Sequence, residues 1–437
     1  METWILLSIL AGTIAVYYCF LKDLNFFKKH GILHISPWPV LGNMGPVFLR
    51  QLSMVELVRK IYNLNQDAKY VGFFDSMNPV VVIRDLDIIK SISVTNFEKF
   101  SDHRNFITED SEPLIAKSLF LLRGEKWHNM RTLLSPAFTP NKMKVMFKLM
   151  SDSGANFADF LVNLPSDKSV VDMKNCFMRY ANDVIATCAF GISVDSMRNP
   201  DNEFYVFGKK AMSFETSRAL KLYIIRSMPL TRDEQNIVRP DMLQLMMESR
   251  GKRPGKELTI EDMISQAFSF FFGGFDTVST SMCFVAHEIA INKKIQAKLQ
   301  EEVDEVLQTT NGNLSFEELN NMQYLDAIVK ETLRLWPVTA LFERICTQQF
   351  KLPPALPGDK PFVIKKGMSV WFPVCGLHRD PKYFERPNEF DPDRFLDQNK
   401  KNMNMAAYIP FGIGPRKCIG YRFALLEIKV MNQPKNL

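Results

Sequence analysis

The stretch Tyr408–Glu427, YIPFGIGPRKCIGYRFALLE, crowds three glycines, two prolines, Arg416 and Lys417 around one sulfur, that of Cys418. A thiolate that binds a metal needs donors aimed at the sulfur and close approach by the other partner. Gly412, Gly414 and Gly420 let the backbone turn tightly and turn N–H groups toward one point. The helical pattern that follows would place a positive helix end near the sulfur, and a large flat cofactor could lie against a surface without side chains. On spacing alone, a glycine-rich loop around a buried structural cysteine explains the stretch equally well. The seven cysteines have no C-x-x-C pair, and the closest two are twelve positions apart. That argues against a zinc site of usual spacing and against a disulfide framework.

Other stretches carry chemistry of lower specificity. ETLR puts Glu331 and Arg334 at i, i+3 on one helix face, and taken alone this reads as a surface ion pair. GGFDTVS, residues 273–279, places two glycines in mid-helix at about 1 kcal/mol each against alanine. Helix packing could account for them, but room for a small ligand accounts for them better, because Asp276 and Thr277 follow directly. WHNMR sets Trp127 and Arg131 one turn apart. His128, His287 and His378 share no ligand spacing and read as surface or packing residues.

These residues need a scaffold of helices. Thr259 and Asp262 form a capping pair, and the 32 residues that follow, IEDMISQAFSFFFGGFDTVSTSMCFVAHEIAI, predict one helix roughly 48 Å long. Its centre is apolar all round, so it should run through the core. Ser315 and Glu318 form a second capping box, and the next helix runs through YLDAIVKETLRLW to Pro337. RGEKWHNMRTLLSPAF predicts a helix ended by Pro136, within a mainly helical region from Asp85 to Leu230. KYVGFF and PVVVIRD predict a hairpin turning at Asp75–Asn78, and MSVWFPV a strand. The class is mostly α with a small β-sheet domain. With 46% apolar residues, 35 phenylalanines and 23 methionines, the chain can fill a large, adaptable core.

FGIGPRKCIG resembles the haem-binding loop of the cytochrome P450 superfamily, F-x-x-G-x-R-x-C-x-G, at every fixed position. The resemblance implies the P450 fold and haem b, with Cys418 as axial thiolate to iron and Phe411 beside the sulfur. Arg416 would meet a haem propionate, and Gly420 with the other glycines would admit the haem. A thiolate ligand favours O–O cleavage. E-x-x-R in that family is a buried pair joined by a meander arginine; Glu331, Arg334 and Arg394 in PDRF fit those places as structural support. GGFDT resembles the oxygen-activating stretch, with Asp276 and Thr277 delivering protons. WHNMR resembles W-x-x-x-R, so Trp127 and Arg131 would be propionate donors, as would Arg344 in FERIC. The texture around LHRDPKYFERPNEFDPDRF is most similar to insect microsomal members that clear xenobiotics, and is also similar to vertebrate drug-metabolising ones. The function so implied is monooxygenation of lipophilic small molecules, with electrons from NADPH through a reductase.

The uncharged run Trp4–Leu21 would span roughly 27 Å as a helix, enough for a thin bilayer. Lys22, Lys28 and Lys29 behind it place the body in the cytosol by the positive-inside rule. We therefore expect residues 1–35 to form a membrane anchor and linker at the endoplasmic reticulum, ahead of one catalytic domain, 36–437; a cleaved signal peptide is the competing account. The net charge of +6 lacks a basic stripe with interleaved aromatics, so nucleic acid is not an expected partner. Two departures from the resemblance stand out. Arg131 and Thr277 are closer in sequence than in relatives, with the shortfall near Ser227–Asn236, where the helices that roof the substrate pocket are expected. The chain also ends soon after Cys418, before the closing sheet of relatives. Both departures raise a non-catalytic isoform, able to bind haem or reductase, as an alternative.

Overall fold

The computed structural model describes residues 22–105, 107–109, 112–165, 170–212, 242–249, 258–312 and 314–431. The expected membrane run Trp4–Leu21 and the expected shortening at Ser227–Asn236 lie outside the described residues. Among the described residues no helix is long and apolar enough to cross a membrane. The chain divides into two compact units that alternate along the sequence: the first draws on 1–104, 339–387 and 404–417, the second on 105–338, 388–403 and 418–437.

The first unit is built on a four-stranded sheet. Strands β1 (Tyr70–Asp75) and β2 (Asn78–Ile83) form the expected hairpin, and Ser76 at φ +54° makes its tight turn. The later strands are β3 (Phe342–Ile345), β4 (Phe350–Leu352), β5 (Phe362–Ile364) and β6 (Ser369–Phe372). The sheet order is β1-β2-β6-β3, with β2 and β6 parallel, while β4 and β5 pair separately. Val71, Phe73, Val80, Val82 and Trp371 alternate onto one face and pack with Leu57 and Ile61 of helix α1 (Met54–Tyr62). The strands are near-continuous apolar runs buried on both faces, which β-branched and aromatic residues suit.

Helices make the second unit: α2 (Gly124–Leu134), α3 (Pro140–Val162), α4 (Met173–Phe190), α5 (Ile260–Ile291), α6 (Lys293–Thr310), α7 (Gln323–Leu335) and α8 (Tyr421–Met431). Helix α5 has the expected bounds, and the Thr259–Asp262 capping box closes its start. It packs most extensively along α4. Phe271, Phe275, Val278 and Met282 are buried, but Phe272, Gly273 and Asp276 are exposed. The centre of α5 is thus not enclosed all round as its composition suggests; one face stays open. Helix α2 ends at Leu134 rather than at Pro136, which sits inside a following tight turn, Ser135–Phe138. The proline removes a donor but is tolerated at the start of that turn.

Candidate active site

The sequence-predicted site residues divide between the units. In the first unit, Gly412 and Gly414 adopt φ of +79° and +76°, which side chains rarely tolerate. A Cβ on Gly414 would stand 2.0 Å from the Ser93 carbonyl oxygen, so the loop packs backbone on backbone there. Phe411 in the same loop is half-buried. Arg416 is buried: its Nε donates to the Ser101 carbonyl at 2.7 Å, and its Nη2 lies 3.7 Å from Asp102. Arg344, on β3, is only 2% exposed. Its Nη1 donates to its neighbour's carbonyl, that of Glu343, but its Nε has no partner. Burial pushes its guanidinium down to about 10. A buried cation with an unused donor is costly unless an anion meets it.

In the second unit, Cys418 lies three residues ahead of α8 and its side chain is exposed. Arg131 of α2 faces it electrostatically: burial pushes the guanidinium down, and the cysteine opposes that shift. Trp127, one turn earlier, is buried. Gly420 differs from the two glycines before it. It lacks a positive φ, and an added Cβ would meet only Phe138 at 3.6 Å, an ordinary contact. Neither a special turn nor a close approach within this unit requires glycine at that position.

The two helix glycines have different reasons. A Cβ on Gly274 would strike Ile185 of α4 at 2.5 Å, so this glycine lets two helices approach, whereas nothing lies within 4 Å of one on Gly273. Thr277 turns its hydroxyl back to the Gly273 carbonyl. Asp276 points instead to Lys174 of α4, whose Nζ lies 2.8 Å from Oδ1 and also reaches Ser279 at 3.0 Å and Thr280 at 2.6 Å. The acid and the alcohol are therefore neighbours in sequence with separate partners. Sequence reasoning missed Lys174, because it lies 102 positions away on another helix.

Behind the cysteine helix, Glu331 of α7 is fully buried with Arg334. Arg334 donates to it through Nε at 2.7 Å and Nη2 at 2.8 Å; Arg394 adds Nε at 3.0 Å and the Asp391 amide 2.8 Å. The carboxylate is saturated by charge-assisted donors, as a buried ion requires. His378 is buried and accepts from the Ile409 amide at 2.9 Å, while His128 and His287 are exposed. Among the described residues, no group of three or more His, Cys, Asp or Glu side chains could hold a metal ion. In the second unit, an exposed cysteine in electrostatic reach of a half-buried arginine suits a thiolate ligand whose bound group carries its own anions.

The family model for cytochrome P450 matches residues 34–239 and 224–432. The chain is 39% identical over 462 aligned positions to cytochrome P450 9e2 of Blattella germanica, covering 93% of this chain and 86% of that protein. It is 38% identical to probable cytochrome P450 9f2 of Drosophila melanogaster, covering 98% and 91%. Cytochrome P450 6j1 of Blattella germanica is similar at 33%, covering 97% and 90%. The fold and the family match define a haem monooxygenase, and the chain belongs to the cytochrome P450 family. Membership implies haem iron as cofactor and monooxygenase chemistry.

Proposed function

We propose that this chain inserts one oxygen atom of O2 into lipophilic small molecules, xenobiotics or endogenous lipids. The catalytic body, 36–437, would face the cytosol behind a 1–35 anchor in the endoplasmic-reticulum membrane. Its electrons would come from NADPH through a reductase. The observation that carries this reading is Cys418: an exposed thiol, ahead of a helix start, with Arg131 in electrostatic reach.

Bound haem iron supplies the redox chemistry by which O2 is split, with thiolate donation favouring O–O cleavage. Cys418 would hold the iron. Trp127, Arg131, Arg344 and Arg416 would hold the propionates, and the orphaned donor of Arg344 supports that assignment. Phe411 and Gly420 would line the haem loop. Thr277 would hand on a proton from its hydroxyl after leaving the Gly273 carbonyl. Asp276 would relay protons from solvent, to which its side chain is half open, after release from Lys174. Glu331, Arg334 and Arg394 brace the elements around the cysteine. The test is NADPH-dependent oxidation of a panel of lipophilic probes with added reductase. Product that tracks haem content supports the reading, and haem-loaded protein that makes no product from any probe counts against it.

Two observations favour a second reading. The two family-matched stretches overlap at 224–239, and the alignment to the Blattella germanica P450 9e2 has more positions than the 437 residues here. Both fit an internal shortening at Ser227–Asn236. A pocket short of roof would position substrate poorly, and about 1 Å of misplacement costs about 100-fold in rate. On this account the chain binds haem or reductase with weak turnover. Restoring a full-length segment there should raise product per haem; unchanged turnover would remove this reading.

A further inference from the structure

Helix α8 carries a carboxyl that the proposed chemistry does not use. Glu427 is 0% exposed, and neither of its oxygens has a hydrogen-bond partner. It sits one turn after Phe423 and one turn before Val430 and Met431, all buried, on the apolar face of the helix. Tyr180 of α4 is 1% exposed, and its hydroxyl is also without a partner. The two are electrostatically linked: burial raises the phenol well above its ordinary value, and Glu427 is the next cause, ahead of Cys188.

Charges on the elements packed against α8 are engaged elsewhere. Asp326 of α7 holds Lys429 at 2.6 Å and also pairs with Lys330. Glu288 of α5 accepts from Trp336 at 2.7 Å and Asn292 at 3.0 Å. The buried face of α3 offers methionines and phenylalanines. Arg334 of α7 is held by Glu331. Among the described residues no cation therefore pairs with Glu427, and burial raises its carboxyl well above the usual range. An isolated buried charge is so costly that such a group neutralises instead.

We propose that Glu427 is a positioning residue for the helix behind Cys418, carried as an uncharged carboxylic acid that faces Tyr180. Its link to the cysteine rests on the haem-thiolate reading; its protonation does not. Below the ordinary glutamate value both folded and unfolded chains hold the proton. As pH rises above it, only the unfolded chain releases the proton, so stability falls with pH. Glu427→Gln keeps the shape without the titration and removes that slope.

The experiment uses the full chain, haem-free and haem-loaded. Infrared difference spectra between wild type and Glu427→Gln at neutral pH should show the C=O stretch of a protonated carboxyl. Urea denaturation between about pH 5 and pH 9 should show the wild type losing stability relative to Glu427→Gln as pH rises. Tyr180→Phe should shift the carboxyl band. In haem-loaded protein, Glu427→Gln should keep the thiolate–haem spectrum, and Glu427→Ala should lose it. A carboxylate band at neutral pH, a pH-independent stability difference, or an unmoved band in Tyr180→Phe overturns the proposal. If Glu427→Gln does not fold, the wild-type band and its response to Tyr180→Phe decide alone. A protonated band with no thiolate spectrum in any form would defeat the Cys418 reading and leave this one standing.

Discussion

Two charge clusters in the helical unit pair an acid with a base and differ in physics. In the knot of α7, Glu331 and Arg334 have no solvent exposure and Arg394 has 6%. In the pair on α5 and α4, Asp276 is 53% exposed and Lys174 38%. The first cluster has no water to fall back on, so every lone pair must be met by the protein. The second is a wet pair that forms and breaks at little cost. Bracing requires the former, and a group that must move to pass a proton requires the latter.

The largest expected effect lies in the dry knot. Glu331→Ala leaves two buried guanidinium groups facing each other, and should cost about 3–5 kcal/mol in urea or thermal denaturation. A cost under about 1 kcal/mol would mean that the knot is solvated after all.

Arg344 shows what a dry charge with an unmet donor does. Its folded value is depressed, so below about pH 10 the folded chain carries a penalty that the unfolded chain lacks. The penalty fades only as pH rises through that value. Arg344→Met should therefore stabilise the haem-free protein, by up to about 3 kcal/mol. If Arg344 meets a propionate, the same change should speed haem loss. Destabilisation of the haem-free form would refute the uncompensated charge, and unchanged haem retention would remove Arg344 from the cofactor site.

Next come the two glycines. Gly274→Ala drives a methyl into Ile185 and should cost about 1–3 kcal/mol. Gly273→Ala meets open space and should gain up to about 1 kcal/mol from helix propensity. Equal effects would break the distinction between a packing glycine and an open one.

The wet pair should give the smallest change in stability. Lys174→Gln and Asp276→Asn should each stay within about 1 kcal/mol of wild type. Their effect should appear instead in the fraction of NADPH recovered as product. Unaltered coupling in both variants, in a turnover-competent form, would take the pair out of proton delivery.

Legibility in the sequence followed the range of the interaction. The bounds of α5 could be read because a capping box and a proline-free periodic run are local signals. The hairpin at Asp75–Asn78 was legible for the same reason. Glu331 and Arg334 were placed on one face by spacing, but only the family resemblance suggested their burial, which depends on a meander some 60 positions away. Lys174 had no local signal, and Gly273 and Gly274 were indistinguishable until Ile185 was placed against one of them. Gly420 differs from Gly412 and Gly414 in lacking a positive φ, a distinction that spacing does not show. Glu427 did have a signal, an acid on the apolar face of FALLEIKVM, but the face alone does not reveal that it lacks a partner.

The most direct test of the central claim is the spectrum of the dithionite-reduced protein under carbon monoxide, for wild type and Cys418→Ala. The account predicts the absorption of a thiolate-ligated haem–carbon monoxide complex in the wild type, and its disappearance in the alanine variant with helical content unchanged. A variant that retained the wild-type spectrum would contradict the assignment of Cys418 as the ligand on which the rest of the site is built.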